Sequence, residues 1–158
     1  MKESKFQFNT PYLEELEFYL NDDFTDKTGE VKMENSVTVY NSKIDNCENS
    51  ALVKLELTIN DDDDVTDKPF SLHIIVAAEF TWEDLDKERV DDLLKTTAPK
   101  FLLGFVRPII ANITNVSPFP CYNIPFLDLM NKNNTQIPKS VFRPNLVSSP
   151  SGIFTRQE

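Results

Sequence analysis

The sequence predicts an α+β protein in which a four-stranded antiparallel sheet is followed by a long helix and a short C-terminal helix. Four segments with the alternating or β-branched pattern of strands come first, and no helical pattern separates them. A segment with apolar residues at helical spacing follows. Because strands that succeed one another without helices are usually antiparallel neighbours, we expect the four strands to form a meander.

The predicted strands occupy the first half of the chain. In Tyr12–Leu20, apolar residues alternate with acidic ones, which is typical of a half-buried strand. Val31–Ile44 and Ala51–Ile59 show the same alternation, most clearly in the latter. Phe70–Trp82 is β-branched and largely apolar, which predicts a strand that is covered on both faces.

The long helix is predicted to begin within the acid-rich segment Glu83–Glu88, because acidic residues stabilise a helix N-terminus. Apolar residues then recur at close to helical spacing, at Val90, Leu94, Phe101, Leu102, Phe105, Ile109 and Ile113. Pro99 and Pro108 each remove a hydrogen-bond donor, at about 3 kcal/mol in a helix interior, so we expect breaks or kinks there. A short second helix is predicted over Pro125–Met130.

A length of 158 residues fits one domain. We assign residues 1–137 to it, because the apolar fraction of 40% is sufficient for a packed core. Residues 138–158 contain Pro138, Pro144 and Pro150 among few apolar residues, and we interpret them as an extended or disordered arm.

The net charge of −10 argues against binding to nucleic acid or to an anionic membrane surface, because both would be repelled. A neutral or basic partner is therefore expected. The N-terminal residues lack the apolar region of a signal peptide, and no uninterrupted run of about 18 apolar residues occurs. We expect a cytoplasmic protein without a membrane insertion.

The residues that usually carry catalysis or bind metals are sparse. Cys47 and Cys121 are far apart and outside any zinc-ligand spacing, so we expect reduced thiols. His73 is the only histidine and has no adjacent nucleophile. The run Asp61–Asp64 lacks the glycine and the glutamate of a calcium loop. With 3 glycines, phosphate-binding loops are also excluded. We predict no enzyme activity, no metal and no cofactor.

The long helix has a wider apolar circumference than one sheet can cover. Leu102, Leu103, Val106 and Ile110 add to the stripe described above, so something else should bury the remainder. Arg107 lies within this apolar stretch, and its charge must reach solvent, a carboxylate or backbone carbonyls. Both a structural ion pair and a contact to a ligand are open for Arg107.

The segment Ala98–Ile124 combines several recognisable features. A small residue and a proline precede an apolar stretch with an aromatic residue at Phe105 and then Arg107, and the segment ends in Ser117-Pro-Phe-Pro-Cys-Tyr-Asn-Ile. This pattern resembles the long helix and exit loop of the SecB family of bacterial protein-export chaperones. The order of strands, helices and polar tail extends the resemblance over roughly residues 5–135.

The resemblance implies a homotetramer, formed as a dimer of dimers, that holds unfolded preproteins in hydrophobic grooves between sheet and helices without a cofactor or ATP. Aromatic and flexible apolar side chains suit such grooves. The expected groove residues are Val37, Val39, Phe70, Ile74, Val76, Phe101, Phe105, Phe126 and Met130.

The resemblance also implies delivery of clients to the translocase motor SecA, which the family binds through acids on the first and fourth predicted strands. Glu15 matches one of these positions and Glu17 lies nearby, whereas Tyr19 and His73 stand where the family has acids. The alternative is a SecB-like chaperone or adaptor dedicated to one partner, such as an antitoxin, that does not engage SecA.

Overall fold

The computed structural model of the chain describes residues 3–25, 31–44, 47–60, 67–127, 129 and 140–142. Its elements, in chain order, are β1 (Phe6–Phe8), β2 (Tyr12–Leu20), β3 (Val31–Met33), β4 (Asn35–Lys43), β5 (Ser50–Ile59), β6 (Phe70–Trp82), α1 (Lys87–Asn115) and β7 (Ser140–Phe142). The α+β class, with an antiparallel sheet followed by a long helix, is confirmed.

The main sheet is antiparallel, with β6 between β5 and a far edge that β1 and β2 share. β4 forms the opposite edge beside β5. The predicted meander is therefore wrong in one connection, because β2 pairs with the last strand instead of the next one. β4, β5 and β6 are neighbours in chain order, so the outer edge of the long strand β6 needs another partner. β2 pairs with this edge and forms hydrogen bonds with the backbone groups of β6.

The predicted strand Val31–Ile44 is divided at Glu34 into β3 and β4. Asn60, at a positive φ of 55°, binds at this break: its Oδ1 atom accepts from the Glu34 N–H at 2.9 Å, and its N–H donates to the Glu34 carbonyl at 2.8 Å. β3 pairs instead with β7, which lies in the segment predicted to be an extended or disordered arm. The remainder of residues 138–158 is outside the described residues.

Helix α1 is continuous from Lys87 to Asn115, so the breaks predicted at Pro99 and Pro108 are not found. A proline leaves the carbonyl four residues earlier without its helical partner. These carbonyls belong to Lys95 and Gly104, which are both exposed, so water can bond them and the helix continues.

The segment after α1 has no regular structure between residues 121 and 127 and packs back onto the core. Tyr122 is buried, its hydroxyl donates to Asn35 Oδ1 at 3.0 Å, and its N–H donates to Thr114 Oγ1 at 2.9 Å. The short helix predicted over Pro125–Met130 falls at the end of the described segment. Its positions 128 and 130 are outside the described residues.

The core lies between one face of the sheet and α1. A helix is about 10 Å wide and strands are about 4.8 Å apart, so one helix covers about two strands. Here α1 lies over the two central strands, β5 and β6. The two edges of the same face, formed by β1 and β2 on one side and β4 on the other, are left partly uncovered. None of the helical sequence that the structure describes has the length and hydropathy needed to span a bilayer.

Candidate functional site

Apolar side chains on the uncovered edges of the sheet remain accessible to solvent. On β2, Leu13 is 43% exposed and Leu20 is 40% exposed, and on β1, Phe8 is 43% exposed. Val37 and Val39 on β4 are half-buried. The surplus that the sequence predicts on the long helix is not found at Leu102, Leu103, Val106 and Ile110, because all four are buried in the core. The accessible apolar surface lies instead on the edge strands, on both sides of α1.

Part of this surface forms a groove between β1, the end of β6 and the first half of α1. We call it the aromatic groove, and its apolar lining consists of Phe6, Phe8, Phe80, Leu85, Leu93 and Phe101. Its volume is about 360 Å³. Ser4, Lys5, Arg89 and Thr97 form its polar rim. Large apolar walls with a few polar groups are typical of ligand sites in proteins.

The pairing of β1 with β6 forms the floor of the aromatic groove. Phe6 pairs with Trp82 and Phe8 with Phe80, so both β1 phenylalanines lie on the face of the sheet that α1 covers. The ring centroids of Phe8 and Phe101 are 3.8 Å apart, and those of Phe80 and Phe101 are 6.1 Å apart in an edge-to-face arrangement. Phe80 is buried while Phe8 remains accessible, so the groove has a fixed floor and an open wall.

Charges on the rim of the aromatic groove are compensated within the chain. Lys5 Nζ lies 3.5 Å from an Asp84 carboxylate oxygen, and Arg89 Nη1 lies 3.3 Å from one of Asp92. The groove therefore presents apolar surface between neutral ion pairs.

The predicted groove residues separate into groups in the structure. Phe101 lines the aromatic groove, and Phe105, one turn further along α1, is half-buried. Val37 and Val39 lie at the opposite edge of the sheet. Phe126 is 92% exposed in the segment after the helix. Met130 lies outside the described residues.

Three of the predicted groove residues are completely buried in the core. Phe70, Ile74 and Val76 each have 0% exposure, so they offer no surface to a client in this structure. The reason is their register: Ile74 pairs with Leu57 and Leu16, and all three residues lie on the face beneath α1. We leave these three residues out of the groove proposed below.

The charged side chain of Arg107 contacts the segment that follows the helix. Its Nη2 atom donates to the Pro125 carbonyl at 3.1 Å, and its guanidinium carbon lies 4.8 Å from the centre of the Phe126 ring. Of the partners considered for this side chain, the structure shows a backbone carbonyl, and it adds the face of an aromatic ring, which was not expected. The contact ties the exit segment to α1 and holds Phe126 in an exposed position.

Sequence reasoning missed the β1 half of the groove. Phe6 and Phe8 alternate about Gln7, but three residues are too few for a reliable strand pattern. Phe80 belongs to a predicted strand, yet only the register with β1 shows that it meets Phe101.

The opposite face of the sheet is polar and open. Glu15 and Glu17 on β2, both exposed, lie beside His73 on β6, and Glu17 is the direct cross-strand partner of His73. His73 Nδ1 lies 3.5 Å from Glu15 Oε1, and His73 Nε2 lies 3.0 Å from Glu56 Oε1. We call Glu15, Glu17, Glu56 and His73 the acid–histidine cluster.

The hydrogen bonds of the cluster extend to β4. The Tyr40 hydroxyl donates to the second oxygen of Glu56 at 2.8 Å. The hydrogen bond from His73, followed by that from Tyr40, lowers the pKa of Glu56. The same interaction with Glu56 raises the pKa of Tyr40. Glu56 is therefore held as a carboxylate that fixes the orientation of the His73 ring.

The family described as SecB, preprotein translocase subunit SecB, matches the chain over residues 1–136. The chain belongs to the SecB family. The predicted resemblance is confirmed, and with it membership in a family of chaperones, which are not enzymes. No curated protein matches the chain.

The solved structures that are similar to this SecB-family chain include the following two. One is a SecB-like chaperone from Mycobacterium tuberculosis in complex with a ChAD peptide from the HigA1 antitoxin; it has 13% identity and a TM-score of 0.64, and the alignment covers 78% of this chain and 91% of that one. At this identity the match shows the fold alone. The other is a protein of unknown function from Streptococcus agalactiae, with 16% identity and a TM-score of 0.46, covering 77% of this chain and 97% of that one.

Proposed function

We propose that the protein is an ATP-independent chaperone that binds unfolded precursor polypeptides in the aromatic groove and keeps them competent for export by the Sec translocase. The observation that carries the proposal is the aromatic groove itself, which leaves Phe8 accessible beside the buried ring of Phe80. Membership in the SecB family supports the class of function. We place the activity in the cytoplasm.

The chemistry of the aromatic groove suits clients without a common sequence. Burial of apolar surface is non-directional and contributes about 25 cal/mol per Å². An extended polypeptide places alternate side chains on one face, so an apolar residue can enter the groove while its neighbours remain in water. Because the rim charges are already paired, the groove selects for apolar character and not for a particular charge.

The remaining predicted residues extend the surface for a long client. Val37 and Val39 lie on the other flank of α1, and Phe105 lies on α1 itself, where their half-buried side chains offer further apolar contacts. Phe126, held by Arg107, offers an exposed ring near the end of the helix. The net charge of −10 would keep such a surface soluble and attract basic segments of unfolded chains.

We further propose that the protomers form a homotetramer as a dimer of dimers. Such an assembly is supported by the exposed apolar residues on β2, Leu13 and Leu20, and by the outer backbone edge of this strand, which pairs with no other strand among the described residues. For delivery, we propose that SecA contacts Glu15 and Glu17, which are exposed on the polar face of the sheet.

A second candidate is a chaperone dedicated to one partner, such as an antitoxin, without SecA engagement. Tyr19 and His73 favour it, because they stand where the family resemblance implies acids for SecA. This candidate is supported by the similar SecB-like chaperone of Mycobacterium tuberculosis, which is in complex with a peptide of an antitoxin.

The proposal predicts that the protein suppresses the aggregation of a chemically denatured client without nucleotide, measured by light scattering. Phe8→Ser should raise the Kd for that client roughly 3- to 10-fold, because a fully buried phenylalanine contributes about 1.5–3 kcal/mol and the 43% of Phe8 that is still exposed accounts for about 0.6–1.3 kcal/mol of it. Tyr19→Ser is the matched control, since Tyr19 is 55% exposed on the opposite face and should not affect binding.

Either of two results would count against generic client binding: equal effects of the two substitutions, or no suppression by the unmodified protein. Saturable binding of one peptide together with indifference to denatured clients would favour the dedicated chaperone. Thermal unfolding of each variant separates loss of binding from loss of fold.

A further inference from the structure

The acid–histidine cluster brings metal-ligating atoms together on the face of the sheet opposite the aromatic groove. Glu15 and Glu17 are two residues apart on β2 and therefore lie on the same face, and Glu17 pairs across the strands with His73. One potential ligand atom from each of Glu15, Glu17 and His73 lies within 4.8 Å of the other two. The sheet register therefore assembles the three groups without any loop.

The imidazole of His73 is oriented by its second nitrogen. Nε2 lies 3.0 Å from Glu56 Oε1, and because a carboxylate only accepts, Nε2 donates this hydrogen bond. Glu56 is in turn fixed by the hydroxyl of Tyr40. In metal sites, the ring N–H of a ligating histidine that is not bound to the metal donates to a carboxylate in this way.

This orientation directs Nδ1 of His73 at the carboxylate of Glu15, 3.5 Å away. In the neutral imidazole that donates from Nε2, Nδ1 carries a lone pair, which would face the lone pairs of Glu15. A cation between the two groups would remove this repulsion. The cation is either a proton on the ring or a metal ion.

The charge around the cluster favours a divalent cation. Glu15, Glu17 and Glu56 place three carboxylates around the one imidazole of His73, and this negative environment attracts cations. Lys54 lies on the same face, but its Nζ is 2.7 Å from a carboxylate oxygen of Glu14 and is engaged there.

We propose that Glu15, Glu17 and Nδ1 of His73 bind one divalent transition-metal ion, with Zn²⁺ as the best match, while Glu56 and Tyr40 orient the imidazole. One imidazole nitrogen and two carboxylate oxygens are ligands that Zn²⁺ accepts in sites that keep a fourth position open. Mg²⁺ and Ca²⁺ take oxygen ligands almost exclusively, so the imidazole disfavours them.

The dimensions of the cluster are compatible with such an ion. With metal–ligand bonds of about 2.0–2.2 Å, tetrahedral ligands are roughly 3.3–3.6 Å apart. His73 Nδ1 and Glu15 Oε1 already have this separation, at 3.5 Å. The exposed side chain of Glu17 can close the remaining distance by rotation. A concavity of about 300 Å³, lined in part by Glu17, Glu56 and His73, leaves room for a water molecule as the fourth ligand.

This inference is independent of client binding, because the metal site and the aromatic groove lie on opposite faces of the sheet. It shares Glu15 and Glu17 with the proposed SecA contact, and calorimetry with Zn²⁺ alone tests it without SecA. Failure of client binding would leave the metal site unaffected, and failure of metal binding would leave the groove unaffected.

The test is calorimetric titration of the full chain with Zn²⁺. The exposed thiols of Cys47 and Cys121 are removed first by substitution to serine, because they would compete for the metal. We expect one ion per chain. His73→Gln, or Glu15→Gln together with Glu17→Gln, should weaken binding at least tenfold. Glu56→Gln should weaken it about 10- to 100-fold through the loss of orientation.

Glu83→Gln is the matched control, since Glu83 is an exposed acid outside the cluster and should leave the affinity unchanged. Titration with Co²⁺ adds a spectroscopic readout, in which metal-dependent visible bands without a thiolate charge-transfer band support the proposed ligands. Absence of saturable binding in the cysteine-free chain, or equal affinity in His73→Gln, would overturn the proposal.

Discussion

Phe70→Ala is expected to lower the free energy of unfolding by about 3–5 kcal/mol. Phe70 has 0% exposure, and its ring lies 5.4 Å from that of Phe18 and 6.0 Å from that of Tyr122, measured between centroids. Truncation removes the contacts that join the edge strand β2 and the exit segment to the core. It also leaves a cavity that the surrounding strands cannot close.

Denaturation in urea, followed by circular dichroism, measures this loss. Phe126→Ala is the control: its ring is 92% exposed, so its removal should change stability by about 1 kcal/mol or less, the contribution of an exposed cation–π contact with Arg107. If Phe70→Ala were close to neutral in stability and weakened client binding, Phe70 would line the groove as the sequence predicts.

The second large effect on stability is expected within α1. Substitutions at two nearby positions should change the free energy of unfolding in opposite directions. Leu102→Ala should lower the free energy of unfolding by about 2–5 kcal/mol, because Leu102 is completely buried against the sheet. Gly104→Ala should raise it by up to about 1 kcal/mol. A Cβ atom added at Gly104 meets no heavy atom within 4 Å, and alanine restricts the unfolded chain.

The same denaturation experiment compares the two variants with the unmodified protein. Opposite shifts of the midpoint at unchanged slope would confirm that one side of the helix packs on the sheet while the other is open. A marked loss of stability in Gly104→Ala would contradict the described packing of α1.

Much of the fold is encoded locally and could be predicted from the sequence. The strand Ala51–Ile59 was placed by its alternation, and it lies within β5 with the apolar side chains beneath α1. The order of strands could not be predicted, because the pairing of β2 with β6 depends on which backbone edges remain free after the later hairpins form.

The same limit applies to the candidate site. The alternation in a strand shows which residues share a face, but not how much of that face a helix covers. For this reason Phe70, Ile74 and Val76 were expected in the groove. In the structure, α1 and β2 enclose these three side chains. Phe101, in contrast, lines the aromatic groove and so stays in the proposed client-binding surface. The interaction of His73 with Glu56 requires the cross-strand register, which the sequence does not contain.

The central claim is that unfolded polypeptide binds in the aromatic groove. Its most direct test is a photoreactive phenylalanine analogue placed at Phe8 in one protein and at Tyr19 in another, each illuminated with a denatured client. The structure predicts crosslinks to the client from position 8 and few from position 19, which lies on the opposite face. Crosslinks mainly from position 19, or equally from both positions, would contradict the claim.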